Sequence, residues 1–578
     1  MAKKNKFTVL FFSVFFILCL IPSQFPFVQT FAVTLVEKLK NDDINGPFWM
    51  KQMSAFGLMG ILFILAFDFF FITNMGRKII TYFVSQAKEI LKYINENKKY
   101  LFILMALYAL SYFTIIRANF ANIIIDDMGR QIEGAREWMN FYRYIDEIGS
   151  IFIHTSKKLI DIAPLTQFIA IFFLSLSSFF AIKIFNKGNF TIPACLISLL
   201  IGIFPYFLSN FSYRYDSPYM ALSILSSIIP FLFFEKKSLF IFSSVTCLLV
   251  MCMTYQASSG IYIIMSIFCV IYKWLLEKEN FKEILQKTGI CILCYCVTLL
   301  SFYLIFSFTS ETEIYVDESI KISTIIPNCI NYIKTFVADF NKTPILFLSF
   351  IIILLSIVLL VKNSKQNKIF STLSILFLIL ISIPLSFGIY ICLANPSDHP
   401  RGMYGIGIFI ALLSLIVYNQ FQNNSTLLKV ISGISLTCLV YCNIAFSFAY
   451  GNAQAEQKNY INFRATLLLN DLANIVEKSE EPAQFVFNGD IGHAAIVQNM
   501  IDVYPVMSKM VDTGLKADRY STFVLESMNF FRLVSGNQQE FTEDFPIVFE
   551  NQYHKIQKKG NKYIVTYKNP DLKVIKVI

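Results

Sequence analysis

Long apolar runs alternate with short polar breaks over most of this chain. Runs near the roughly 20 residues that cross a bilayer occupy residues 7–22, 54–73, 100–118, 165–185, 191–208, 218–234, 239–255, 258–275, 289–308, 344–361, 370–393, 403–420 and 428–450. The pattern predicts an all-α polytopic membrane bundle of about thirteen transmembrane helices. From Gly451 onward the pattern changes. "NAQAEQKNYINFRATLLLNDLANIVEKSE" has helical periodicity, "AQFVFNGD" reads as a strand entering a turn, and "NKYIVTYKNPDLKVIKVI" as a hairpin-like end bent at Lys-Gly-Asn-Lys. Residues 451–578 are thus expected to form a small α/β domain that buries its own core. Residues 1–99 supply two spans and a basic amphipathic helix at 76–99, and residues 100–450 the membrane core. Residues 273–287 read as a second basic amphipathic helix.

Charge sets the expected orientation, because Lys and Arg collect in cytoplasmic connections. Lys3, Lys4 and Lys6 place the N-terminus inside, and Arg77, Lys183, Lys187, Lys236, Lys237, Lys273, Lys287 and Lys362 fall on the same side under strict alternation. The polar connections that carry acids then face outward, as does the C-terminal domain. The expected location is a bacterial inner membrane. Before the second span, "PSQFP" at residues 22–26 lacks a small-residue cleavage site, so the first run reads as an uncleaved span rather than a signal peptide.

Composition narrows the function. Only 15% of residues are charged and 56% are hydrophobic, against about 25% charged in soluble domains. The net charge of +10 belongs to the inward lysines and meets anionic lipid, so it does not call for nucleic acid. Nearly all of the 12 cysteines lie within predicted spans, where they read as small apolar packing residues and not as a disulfide framework or metal site. There is no phosphate-binding glycine loop and no dinucleotide fingerprint. The chemistry is expected outside, on lipid-borne or extracytoplasmic substrates, with no cofactor.

Four outward connections carry polar groups at a membrane boundary. In "NIIIDDMGRQIEGAREW", residues 122–138, Asp126 and Asp127 follow three isoleucines, with Arg130 and Glu133 close behind. They fit an N-capped interfacial helix, with either Asp pairing locally to Arg130; they equally fit a substrate path, since ionisable groups at membrane depth are costly. "SNFSYRYDSPYMALS" sets Arg214 and Asp216 among Tyr213, Tyr215 and Tyr219, either as interfacial anchors or as a phosphate contact with aromatic walls for a sugar. Tyr255 and Gln256 open a polar break that reads as a tight turn between spans. Asp398, His399 and Arg401 crowd a boundary between prolines, where the histidine reads as a hydrogen-bonded loop residue.

Together these groups suit sugar transfer from a polyprenyl phosphate. The leaving phosphate is stable as an anion, so the paired acid and base of a glycosidase are unnecessary. One carboxylate to deprotonate the acceptor hydroxyl and one or two arginines to hold the phosphate suffice. Asp127, with Asp126 beside it, is the candidate base. Arg130, Arg214 and Arg401 are candidates for the donor phosphate, and Glu133, Asp216, Tyr215, Tyr255, Gln256 and His399 for substrate. The scheme demands no metal. An O-antigen polymerase or a lipid-linked oligosaccharide flippase is the rival reading.

"NIIIDDMGRQIEGAREW" followed by Arg143, and then "PYFLSNFSYRYDSPYMALSILSSIIPF", resemble the bacterial and phage membrane glucosyltransferases that modify O-antigen in serotype conversion. Asp126, Asp127, Arg130, Gly134, Trp138, Arg214, Asp216, Ser217, Met220 and Ala221 fill the two motifs of that family. The resemblance, over roughly residues 100–450, implies a GT-C architecture, an undecaprenyl-phosphate-linked glucose donor, a glycan acceptor and single displacement with inversion. The two N-terminal spans and the size of the C-terminal domain depart from the family pattern.

Overall fold

The structure, a computed structural model, describes residues 74–120, 127–307, 321–422, 424–476, 483–517, 521–528, 534–535 and 545–569. The expected spans at 7–22 and 54–73, and Asp126, lie outside the described residues. The other expected spans fall on helices.

The described chain opens with α1 (Asn74–Glu96), the amphipathic helix foreseen at 76–99, and continues through α2 (Lys98–Ser111) and α3 (Phe113–Ala118). Two short helices follow, α4 (Asp127–Glu133) and α5 (Tyr144–His154), and then the apolar α6 (Leu165–Phe185). The run at 191–208 is broken into α7 (Ile192–Ile203) and α8 (Pro205–Ser212), bent by 64°. Pro205 supplies the break: it has no N–H for the preceding helix and its fixed φ suits the first turn of a new one. Next come α9 (Ser217–Ile228), α10 (Lys237–Cys252) and α11 (Ser259–Ile271), the last two joined by a 3-10 turn at Gln256–Ser258, the tight turn expected there.

The second amphipathic helix is not continuous. A π-helical segment, Tyr272–Glu277, ends at Lys278 in the left-handed region (φ 63°), and α12 (Phe281–Ser307) starts afresh. Lys278 in that conformation stops the helix and turns Lys273 and Lys287 toward one another's glutamates. Helix α13 (Ile325–Phe340) lies outside every predicted span and keeps an exposed apolar stripe through Ile326, Ile330, Ile333 and Val337. Helices α14 (Pro344–Asn363), α15 (Lys368–Leu385), α16 (Gly405–Phe421) and α17 (Thr426–Ile475) complete the bundle.

Among the described residues, 6 helices are long and apolar enough to cross a membrane, or up to 7 if the bent pair is one span, and three shorter apolar helices accompany them. Phe347, Phe350 and Leu354 of α14 and Phe370, Leu373, Phe377 and Leu380 of α15 are exposed. Such surfaces suit lipid rather than water.

Helix α17 runs for 50 residues straight through Gly451, where the change of composition suggested a fresh start. Glycine is used there for proximity. A side chain at 451 would meet the backbone of Thr114 and Ile115 at 2.4 to 2.5 Å, and Ser447 Oγ donates to Ser111 O at 2.7 Å. Two small residues one turn apart let α17 touch the α2–α3 junction.

The far end of α17 carries the C-terminal unit. Ile461, Ala465, Leu468, Leu469 and Leu472 pack against a five-stranded sheet ordered β2-β1-β5-β4-β3. The strands are β1 (Gln484–Gly489), β2 (Val534–Ser535), β3 (Ile547–Glu550), β4 (His554–Lys559) and β5 (Lys562–Tyr567). β1 is parallel to β2 and β5, whereas β4 and β5 form the antiparallel hairpin expected around Gly560. Among the described residues this part of the chain also holds α18 (Ala495–Val503), a single helical turn at Met507–Met510 and α19 (Ser521–Ser527).

Candidate functional site

One end of the bundle is built from the connection between α3 and α6 and from the turn between α8 and α9. The first connection is folded tightly. Gly134, at φ 69°, ends α4 and hydrogen-bonds across to Leu159. A 3-10 turn at Trp138–Phe141, flanked by Glu137 and Tyr142 in the left-handed region, then swings the chain into α5. In the second connection, Ser217 N donates to Tyr213 O at 2.8 Å, and Tyr219 N and Met220 N both donate to Asp216 O at 3.0 Å. The turn pushes the Asp216 side chain back toward the first connection.

There the two stretches close on each other. Asp216 is 1% exposed and receives Arg130 Nη1 at 2.5 Å on one oxygen and Trp138 Nε1 at 2.5 Å on the other. The Arg130 guanidinium also stands 4.3 Å from the centroid of the Trp138 ring. Arg143 Nη1 lies 3.7 Å from Asp216, with its guanidinium 4.7 Å from the Tyr255 ring centroid. Reciprocally, Asp127 is fully buried and accepts the backbone N–H of Arg214 at 3.2 Å. Arg130 reaches a partner 86 residues on, because the α8–α9 turn delivers a desolvated carboxylate that demands a charge-assisted partner.

The other expected residues are placed as follows. Arg214 is 5% exposed, pairs with Asp161 at 2.5 Å and donates to Asn119 Oδ1 at 2.7 Å. Tyr255 donates its hydroxyl to Arg401 O at 3.1 Å, and Gln256 Nε2 donates to Phe141 O at 3.2 Å. Both therefore tie neighbouring segments to the site. The Arg401 guanidinium lies 5.1 Å from the Tyr213 ring centroid. Tyr215 is buried beside His154, with ring centroids 5.6 Å apart. Glu133 is exposed at the end of α4. His399 Nδ1 accepts the N–H of Arg401 at 3.3 Å and caps the turn Pro400–Met403; burial, and then the Arg401 charge, push its pKa down to about 4. It is a neutral cap, the loop role foreseen for it.

Three more residues join them: Arg143, named above only as following the first motif, and Asp146 and Asp161, which the sequence did not single out. Arg143 has its buried Nε without a hydrogen-bond acceptor. Asp146 is 1% exposed, and burial raises its carboxyl pKa well above the usual range, an effect that Asp216 reinforces and Arg143 opposes. Asp161 accepts from both Arg214 and Gln131, the latter at 2.6 Å. An acid within "LIDIAPL", hard against the span at 165–185, carries the same boundary signal that marked Asp127. Asp146, inside a short amphipathic helix, carries none. No group of three or more His, Cys, Asp or Glu side chains among the described residues is arranged to hold a metal ion.

A helical, apolar bundle with a buried carboxylate and guanidinium centre at one end, capped by a small α/β unit, is the class of protein this fold and site define. Residues 113–418 match the family model of the glucosyl transferase GtrII, and the chain belongs to that family. The match spans both stretches that meet at Asp216. The chain is also similar to a Salmonella phage P22 protein described as an uncharacterized 55.3 kDa protein in the gtrB 5′ region. The two are 24% identical over 456 residues, which cover 76% of this chain and 92% of the phage protein. Both findings agree with the resemblance to O-antigen glucosyltransferases of serotype conversion.

Proposed function

We propose that this glucosyltransferase moves glucose from undecaprenyl phosphate to an extracytoplasmic glycan such as O-antigen, in a GT-C-type bundle of about thirteen spans set in a bacterial inner membrane. The N-terminus is cytoplasmic, and the site and the C-terminal domain face outward. The observation that carries this reading is the mutual closure of the two motifs: Arg130 and Trp138 on Asp216, and Arg214 N–H on Asp127.

In the proposed step, Asp127 accepts the proton of the acceptor hydroxyl while that oxygen attacks C1 of glucose. The bond from C1 to the phosphate oxygen breaks, and its electron pair leaves on undecaprenyl phosphate. One displacement inverts the anomeric centre, and no acid is needed for a leaving group already stable as an anion. Arg143 and Arg401 serve the phosphate. Arg130 and Arg214, each already held by a carboxylate, position Asp216 and the turn that carries it. Burial of the whole centre strengthens every one of these interactions.

The test supplies membranes containing the full chain with labelled undecaprenyl phosphate glucose and cell-envelope glycan. Wild type is expected to label the glycan, and Asp127→Asn to lose about 100-fold or more in rate with unchanged membrane insertion. Labelling by Asp127→Asn at the wild-type rate would remove the base assignment; no labelling by wild type would remove the donor.

A further inference from the structure

A cavity lies beside the centre, and its walls come from both halves of the molecule. It has about 240 Å³ of free volume, with Asn119, Gln131, Asp161 and Arg214 on the bundle side and Lys458 and Asn462 from α17 on the other. Ser527 of α19 stands at its edge, and Phe120, 4% exposed, closes it with an apolar surface.

We infer that this cavity is the subsite for one neutral sugar ring of the acceptor glycan, half of it built by the C-terminal domain. The inference rests on the glycosyltransferase reading and adds to it the place of the acceptor. The volume has room for a sugar ring. Its lining mixes amides, which both donate and accept, with one carboxylate and two cationic donors, and sugar hydroxyls need partners of both kinds. Phe120 gives the C–H face of a sugar an apolar contact. Arg214, 5% exposed, forms part of the cavity wall and brings a charged donor group to it. A phosphate is the poorer fit, because the Arg214 charge is already matched by Asp161 at 2.5 Å.

Position strengthens the assignment. Met128 and Gln131 line the cavity from α4, the helix that begins at Asp127, and Arg214, which lines it too, gives its backbone N–H to Asp127. A sugar seated here is next to the proposed base. Lys458 Nζ donates to Asn119 O at 2.8 Å, and a side chain at Gly129 would meet the Phe523 ring of α19 at 3.3 Å. The C-terminal domain is thus held against the bundle on two sides of the cavity. Acceptor choice follows from the residues it presents.

The test measures binding of the full-length chain, purified in lipid nanodiscs and without donor, to immobilised bacterial surface polysaccharides. Asn462 and Ser527 are exposed, so Asn462→Trp and Ser527→Trp fill the cavity without disturbing a core. Wild type is expected to bind, each Trp variant to bind at least tenfold more weakly, and Lys458→Ala to weaken binding in the same preparations. No polysaccharide bound by wild type, or equal binding by the Trp variants, overturns the inference. Glucose transfer is measured separately: binding that depends on the cavity without any transfer counts against the enzymatic reading and leaves the subsite standing.

Discussion

Two ionic networks sit at opposite ends of the bundle. At one end, Lys273 and Lys287 share Glu235 and Glu279, and Lys273 also pairs with Glu277; the Glu235 side chain is 55% exposed and the lysines about a fifth. At the other, the Arg130 and Asp216 side chains are 7% and 2% exposed. The first network is partly open to solvent, and such pairs contribute little. The second has surrendered its hydration, a cost that a pair of charges only partly offsets. A fold does not need such a centre for stability, since apolar residues of the same volume serve as well or better. The contrast teaches that the buried network is kept for what its charges do.

Breaking each network separates the two. Asp216→Ala leaves Arg130 buried without its carboxylate and is expected to cost about 3–5 kcal/mol, whereas Lys287→Ala is expected to cost under about 1 kcal/mol. Thermal denaturation of the full chain in nanodiscs compares them. A double-mutant cycle on Arg130 and Asp216 against one on Lys287 and Glu235 sharpens the result, with strong coupling expected only in the first.

A smaller effect tests the contact on which the C-terminal half hangs. Gly451→Leu drives a side chain into the backbone of Thr114 and is expected to destabilise by about 1–3 kcal/mol, while Gly433→Leu, at a position open on all sides, is not. Equal melting temperatures for the two variants count against the close crossing. Arg143→Ala, which removes the proposed phosphate contact, is expected to raise the donor KM about tenfold with the acceptor KM unchanged; a shift in the acceptor KM alone assigns Arg143 elsewhere.

The smallest effect concerns pH. His399 is neutral in the folded chain, with burial holding its pKa near 4, and an unfolded histidine takes up its proton near 6.5. Its contribution to stability is therefore full above pH 6.5 and is lost as pH falls toward 4. An asparagine in its place keeps a capping oxygen without titrating. The variant His399→Asn should flatten the acid side of the stability profile, and an unchanged profile means the histidine is not the group responsible.

The sequence reveals much of this arrangement, and its omissions have physical causes. Helical spans are visible because hydrophobic length is a local property, and the β4–β5 hairpin because its turn chemistry is local too. The polar residues at the ends of apolar runs are visible because charge at a bilayer boundary is expensive wherever the chain later goes. Partner choice is not local. Neighbours on a short helix suggest only local partners for Arg130, whereas Asp216 is brought to it by a turn between two later helices. Asp146 escapes notice because its neighbours Ile145 and Glu147 read as an ordinary amphipathic helix, and only the packing of α5 shows that it points inward. Gly451 misleads in the opposite way: a residue that breaks isolated helices is here the one that lets two helices meet.

The most direct measurement of the central claim is the initial rate of glucose transfer from undecaprenyl phosphate glucose by Asp127→Asn, Asp216→Asn and Lys287→Ala, each matched to wild type for folded protein in the membrane. The account predicts that both aspartate variants fall by about 100-fold or more while Lys287→Ala stays within about twofold of wild type. Aspartate variants that transfer glucose as fast as Lys287→Ala would contradict it.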